Sequence, residues 1–376
     1  CKEHIDEALK MARKSCVLLK NDGVLPIDNT KVNTIGVIGP NANSRAALIG
    51  NYHGTSSEYI TVLEGIREEA GDDVRILYSQ GCDLYKDKVE NLAWDQDRIS
   101  EAVITAENSD VVILCVGLDE TLEGEEGDTG NSYASGDKES LKLPQSQIDL
   151  MEAMAGSGKP VVLCLMAGSD IDMSYAAEKF DAVMVLWYPG SQGGKAAAKI
   201  LFGENSPSGK LPVTFYESLE ELPEFTDYSM KGRTYRYMEG KAQFPFGYGL
   251  TYSNVKVENA EVRQCGRQIT VEAEVYNKGN ADTEEVVQVY VKNLESKNAI
   301  PNPALGGFQR IFIKAGERRK VMVPVWEKAF TVVDENGERV EDGRKYEIFA
   351  GCSQPDERSI ELTGTEPVKM IWEKED

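Results

Sequence analysis

The chain has 376 residues, 41% of them hydrophobic, enough for two or three folded domains and unlike a disordered or membrane-embedded polypeptide. Its 63 Asp and Glu outweigh 41 Lys and Arg, and the resulting net charge of -22 repels nucleic-acid backbones and anionic lipid surfaces. Seven cysteines without a CxxC pair slightly favour a reducing, cytoplasmic setting, and two histidines leave little material for a zinc cluster or a Ser-His-Asp site.

The first residue is Cys rather than Met, so further sequence is expected before it, and the opening twenty residues resemble neither a signal peptide nor a membrane span. Ile5, Ala8, Leu9, Ala12, Cys16 and Leu19 recur at helical spacing, which predicts an amphipathic helix over residues 2–21. Apolar runs at 34–38, 74–78, 110–116, 160–166 and 181–187 then alternate with helical stretches near 61–70, 97–107, 145–156 and 192–202. Alternation of this kind predicts an α/β domain over residues 1–215, with a mostly parallel sheet flanked by helices.

Periodicity vanishes over residues 216–252, where Pro, Gly, Tyr and Arg dominate, and a structured linker is expected there. Residues 253–376 carry short alternating runs at 255–262, 269–276, 286–292, 308–314, 319–325 and 346–350. Turn chemistry such as Asn277-Lys278-Gly279-Asn280 and Glu335-Asn336-Gly337 separates them. An immunoglobulin-like β-sandwich follows from that spacing.

Functional residues are sought where parallel strands end, because ligands bind beyond the carboxyl ends of such sheets. The run at 111–117 leads into a loop carrying Asp119, Glu120, Glu123, Glu125, Glu126 and Asp128, a setting for acid/base chemistry whose bland alternative is a solvated acidic turn. Gly50-Asn51-Tyr52-His53-Gly54 offers amide, phenol and imidazole groups suited to a sugar, or a plain surface turn. Trp187-Tyr188-Pro189-Gly190 closes the last apolar run; its aromatics, Trp187 foremost, are candidates for lining a crevice, against the alternative of core edges whose polar tips find a partner. The stretch Gly36-Val37-Ile38-Gly39-Pro40 lacks the GxGxxG order, and Pro40 removes a donor that phosphate would need, which disfavours a nucleotide enzyme.

Taken together, LLKNDGVLPI at 18–27, IGVIGPNAN at 35–43, LWYPGSQGGKAAAKILFGENSPSGKLPVTF at 186–215 and FPFGYGLTY at 244–252 resemble the C-terminal half of glycoside hydrolase family 3, over essentially the whole chain. That resemblance implies an α/β sandwich followed by a fibronectin type III-like domain. It also implies a retaining β-glycosidase whose Asp nucleophile sits on a (β/α)8 barrel absent from these residues. Counting from Val116-Gly117, the family's acid/base position falls on Glu123, with Glu125 as runner-up because the loop varies in length. The segment GNYHGTSSEYITVLEGI with GLDETLEGE looks closest to β-D-xylosidases, with β-glucosidase and α-L-arabinofuranosidase as alternatives.

The expected partners are a β-linked oligosaccharide or aryl glycoside, held in part by Asn51, Tyr52, His53 and Trp187, the barrel domain or chain, and a second copy if the enzyme oligomerises. No cofactor, metal, nucleic acid or membrane is expected. A non-catalytic carbohydrate-binding or scaffolding pair of domains is the competing class.

Overall fold

The computed structural model describes residues 1–85, 94, 96–124, 138 and 140–374. Two compact units result, Cys1–Gly209 and Lys210–Asp376.

In the first unit, helix α1 (Lys2–Ser15) is followed by β1 (Val17–Asn21), β2 (Thr34–Ile38), α2 (Ala46–Ile49), α3 (Val62–Ala70), β3 (Arg75–Ser79) and α4 (Asp97–Glu107). Then come β4 (Val111–Gly117), α5 (Gln145–Ala155), β5 (Val161–Met166), α6 (Ser174–Lys179), β6 (Ala182–Val185) and α7 (Gly193–Leu201). The helix expected over residues 2–21 therefore stops early. Cys16 turns to extended backbone at ψ 132°, and Val17, Leu18 and Leu19 are all buried. A short run apolar on consecutive positions satisfies a strand as well as a helix, and here antiparallel pairing with β6, Val17 opposite Val185, decides it.

Among the described residues, six strands form one sheet in the order β1-β6-β5-β4-β2-β3, parallel except for β1. β2, β4, β5 and β6 are buried along their whole length, as strands covered on both faces must be. The chain leaves β2 outward to β3 and returns past it to β4. Right-handed crossovers then send α2 and α3 to one face and α4, α5 and α6 to the other. Packing agrees with this, α7 lying against α3 and α1 while α4 lies against α5. The reversal of winding falls between the carboxyl ends of β2 and β4, the position where doubly wound sheets open a crevice.

The second unit begins with the aromatic stretch. Phe215 bridges Phe244, the Leu211 N–H donates to Tyr248 O and the Gly247 N–H to Leu211 O, and Tyr235, on the short helix α8 (Thr234–Tyr237), stacks on Phe246 with ring centroids 4.1 Å apart. Strands β7 (Val255–Cys265), β8 (Gln268–Asn277), β9 (Thr283–Asn293), β10 (Ala304–Ile313) and β11 (Arg318–Val325) follow, then the two-residue pair β12 (Val332–Val333) and β13 (Arg339–Val340). Strand β14 (Lys345–Gly351), helix α9 (Glu357–Thr363) and strand β15 (Val368–Glu373) end the chain. Sheets ordered β10-β9-β14-β15 and β11-β8-β7 enclose a core that includes Val271, Val289, Val323 and Ile348. Alternation is clean on β8, where Ile269, Val271, Ala273 and Val275 point inward. β15 and α9 carry no expectation above. β15 alternates half-buried with exposed residues and hides no full apolar face, so its pattern reads as polar.

Candidate active site

The site grows from the end of β4. Gly117 has φ +148°, and a Cβ there would lie 1.9 Å from the Met166 carbonyl oxygen, so only glycine lets the chain leave the sheet beside β5. Gln147, fully buried on α5, clamps this glycine. Its Oε1 accepts from Gly117 N at 2.8 Å, while its Nε2 donates to Gly117 O at 2.7 Å and to Leu84 O at 2.7 Å.

Next, Asp119 folds the acidic segment into a turn. Its side chain accepts from the Thr121 backbone at 2.9 Å and the Thr121 hydroxyl at 2.6 Å, and its carbonyl accepts from Leu122 and Glu123 at 3.0 and 2.9 Å. An Asp that bonds the backbone two residues on is a standard turn former, so this nearly buried carboxylate is structural. Across the switch point, Asn41 Nδ2 donates to Leu118 O at 3.0 Å.

The turn delivers Glu123, half-buried, into a cradle made by the ends of β5 and β6. Among the described residues, three donors meet its carboxylate. The Gly168 backbone N–H reaches Oε2 at 2.7 Å, the Tyr188 hydroxyl donates to the same oxygen, and the Ser169 hydroxyl donates to Oε1. Gly168 must be glycine for this, since a Cβ would stand 2.9 Å from the Tyr188 ring and 3.2 Å from Glu123 Oε2. Burial, and then the Glu123 carboxylate beside it, push the Tyr188 phenol far above its ordinary range, so it stays a protonated donor. Lys138 completes the neighbourhood. Its ammonium donates to Asp170 O at 2.6 Å, and burial lowers its pKa against the opposing pull of Glu123 and Asp170.

The loop at 50–54 meets the same acidic turn. His53 Nε2 lies 3.1 Å from Glu120 Oε2 and Nδ1 lies 3.0 Å from Gly54 O. Both neighbours accept, so the imidazolium is favoured and the pKa is raised, first by the Gly54 carbonyl and then by Glu120. Asn51 Oδ1 accepts from Tyr52 N at 3.2 Å, and Tyr52 is 82% exposed. Trp187 spends its indole N–H on Ser15 O at 3.1 Å, and the aromatic of that motif touching Glu123 is its neighbour Tyr188. Glu125 lies outside the described residues.

Gly168, Ser169 and Gln147 are not among the residues expected from sequence, and Tyr188 stands there only as an aromatic of the Trp187-Tyr188-Pro189-Gly190 motif. The available signal was position: Gly168-Ser169 follows the apolar run of β5, which the strand order places next to β4. Among the described residues no group of three or more His, Cys, Asp or Glu is assembled to hold a metal ion, and no helix is long and apolar enough to cross a membrane.

Residues 16–252 match the family model described as the glycosyl hydrolase family 3 C-terminal domain, and residues 285–354 match the fibronectin type III-like domain. A β-xylosidase of Formosa agariphila is 32% identical over 380 residues, covering 96% of this chain and 50% of the relative. A periplasmic β-glucosidase of Salmonella typhimurium is also 32% identical, covering 93% of this chain and 48% of that protein. Among solved structures, a GH3 exo-β-xylosidase in complex with a xylobiose aziridine activity-based probe superposes with a TM-score of 0.83 at 27% identity, over 100% of this chain and 49% of the other. The chain thus spans about half the length of the curated relatives it matches.

Proposed function

This chain belongs to glycosyl hydrolase family 3, and from that premise we propose that it carries the acid/base half of a retaining, exo-acting β-glycosidase, with Glu123 as the proton carrier. The observation that carries the reading is the three-donor cradle, which fixes one carboxylate of the acidic loop at the carboxyl end of the sheet. Retaining hydrolysis needs a second carboxyl group about 5–5.5 Å away as nucleophile. That group is supplied, on this reading, by a (β/α)8 barrel outside these 376 residues, in keeping with the half-length match to the relatives.

The cradle suggests how the proton is handled. Oε2 faces a backbone N–H, which can never accept, whereas Oε1 faces the Ser169 hydroxyl, which can turn from donor to acceptor. Oε1 is therefore the oxygen able to hold a proton, give it to the departing glycosidic oxygen, and take one from water in the second step. Tyr188 and Gly168 hold the other oxygen throughout.

The substrate we propose is a β-D-xyloside, in line with the Formosa relative and the exo-β-xylosidase structure, with a β-glucoside as the alternative that the Salmonella relative favours. His53 and Tyr52 stand on the loop tied to the acidic turn through Glu120 and are the sugar-contacting candidates. Release of p-nitrophenol from p-nitrophenyl β-D-xyloside tests the division of labour. The chain alone should give no turnover, and joining it to the barrel should restore it. Turnover by the chain alone would place the nucleophile within it and overturn the proposal.

A further inference from the structure

The loop that cradles Glu123 is itself tied down. Between β5 and α6 the chain runs Ala167-Gly168-Ser169-Asp170-Ile171-Asp172, anchored by Ala167 and Ile171, both fully buried. Gly168 and Ser169 donate to the two carboxylate oxygens. The residues just after them are held from the stretch that precedes α5. There the Lys138 ammonium donates to Asp170 O at 2.6 Å, and Leu141 O accepts from Asp172 N at 2.8 Å. Lys138 thus fastens the residue next to Ser169, one step from the cradle.

Capping one carbonyl does not need a charge. An amide or a hydroxyl would donate the same bond, whereas a half-buried ammonium carries a desolvation cost. Two carboxylates act against that cost, Glu123 first and Asp170 second. The interaction is reciprocal: whatever Glu123 contributes to the ammonium, the ammonium contributes to the Glu123 carboxylate. The chain carries a net charge of -22, and Asp119 and Glu120 share a turn with Glu123. A positive charge there offsets like charges that would otherwise hold the proton back.

We propose that Lys138 is a positioning residue for Glu123: it pins the Gly168–Asp170 segment that holds the carboxylate and sets within reach of it a positive charge that helps the proton leave. The pairing stands on the geometry alone, while its catalytic consequence rests on the acid/base role given above to Glu123.

The 376-residue chain by itself tests the pairing. The Gly168 N–H donates to Glu123, so its amide NMR shift follows ionisation of that carboxylate. In Lys138→Met, which keeps the stem and removes the charge, the midpoint of this titration should move to higher pH by about 0.5 unit or more, the scale of one partly screened charge, and Lys138→Arg should return it. Glu123→Gln reads the same pairing from the other side, should Lys138→Met not fold. With the opposing pull of Glu123 gone, Lys138 should titrate lower than in the parent, followed at its side-chain carbon shifts. An unmoved Gly168 midpoint, or a Lys138 titration that ignores Glu123→Gln, would overturn the proposal. In the barrel-joined enzyme the basic limb of the kcat/KM profile should move with the amide midpoint, because that limb reports the protonated acid of the free enzyme. An amide midpoint that moves while the limb stays would support the pairing and reject the acid/base role of Glu123.

Discussion

The Tyr188 hydroxyl donates to Glu123 Oε2, joining the end of β6 to the turn that follows β4. Burial keeps the phenol protonated across any working pH, so it acts as a fixed donor and never as a base. Tyr188→Phe keeps the ring and removes that bond. A hydrogen bond to a charged group contributes about 1.5–3 kcal/mol, so kcat in the barrel-joined enzyme should fall roughly tenfold to a hundredfold. The lost bond also costs stability, so the thermal midpoint should fall by several degrees, and no further, because the ring still fills its place. Equal kcat for variant and parent would show that Tyr188 does not position the acid/base.

Gly168→Ala probes the same cradle from the β5 side. The added Cβ would sit 2.9 Å from the Tyr188 ring and 3.2 Å from Glu123 Oε2, so ring and carboxylate must both shift. Displacement of a catalytic group by about 1 Å can cost on the order of a hundredfold in rate. Steady-state kinetics should show this in kcat with little change in KM. A KM effect alone would assign Gly168 to substrate binding instead.

Gln147→Leu tests the support beneath the site. The variant removes the Gln147 partners of the buried Gly117 N–H and C=O, each left unsatisfied at a cost of about 1–3 kcal/mol, so urea unfolding should show a loss of roughly 2–6 kcal/mol in the first unit. A loss below about 0.5 kcal/mol, the range of an ordinary surface substitution, would mean the clamp is replaceable by water.

His53 gives a pH signature. Its pKa is raised in the folded chain above the ordinary 6.5, so the protonated contact to Glu120 adds order to the 50–54 loop. A raised folded pKa means this contribution is fully present below the unfolded value and is lost as pH rises through the folded one. NMR titration of the His53 ring should place its midpoint above 6.5 and show it falling in Glu120→Gln. A midpoint at or below 6.5 that ignores the substitution would break the link between the two loops.

Much of the framework was legible because burial leaves a one-dimensional trace. The runs at β2, β4, β5 and β6 are apolar at nearly every position, a pattern that two-sided burial imposes, and β8 alternates as a one-sided strand must. β1 was misread because three consecutive buried residues suit either period, and only pairing with β6 resolves it. The loop bearing Glu123 stood out by its carboxylates. Most of its partners did not, because Gly168 and Ser169 are ordinary residues made significant by strand order, and Gln147 acts from a helix thirty positions along the chain. Trp187 and Tyr188 stand out together as aromatics at a strand end, yet only pairing separates them: the Trp187 indole turns to Ser15 while the Tyr188 hydroxyl turns to the carboxylate.

The most direct test of the account is Glu123→Ala in the barrel-joined enzyme, assayed on aryl β-D-xylosides of graded leaving-group ability with and without azide. Loss of a general acid predicts a fall of about 10²–10⁴-fold for poor leaving groups, a far smaller one for good leaving groups, and partial rescue by azide, which needs no general base to attack the glycosyl-enzyme. A uniform fall across leaving groups without azide rescue, or unchanged kinetics, would contradict the assignment of Glu123.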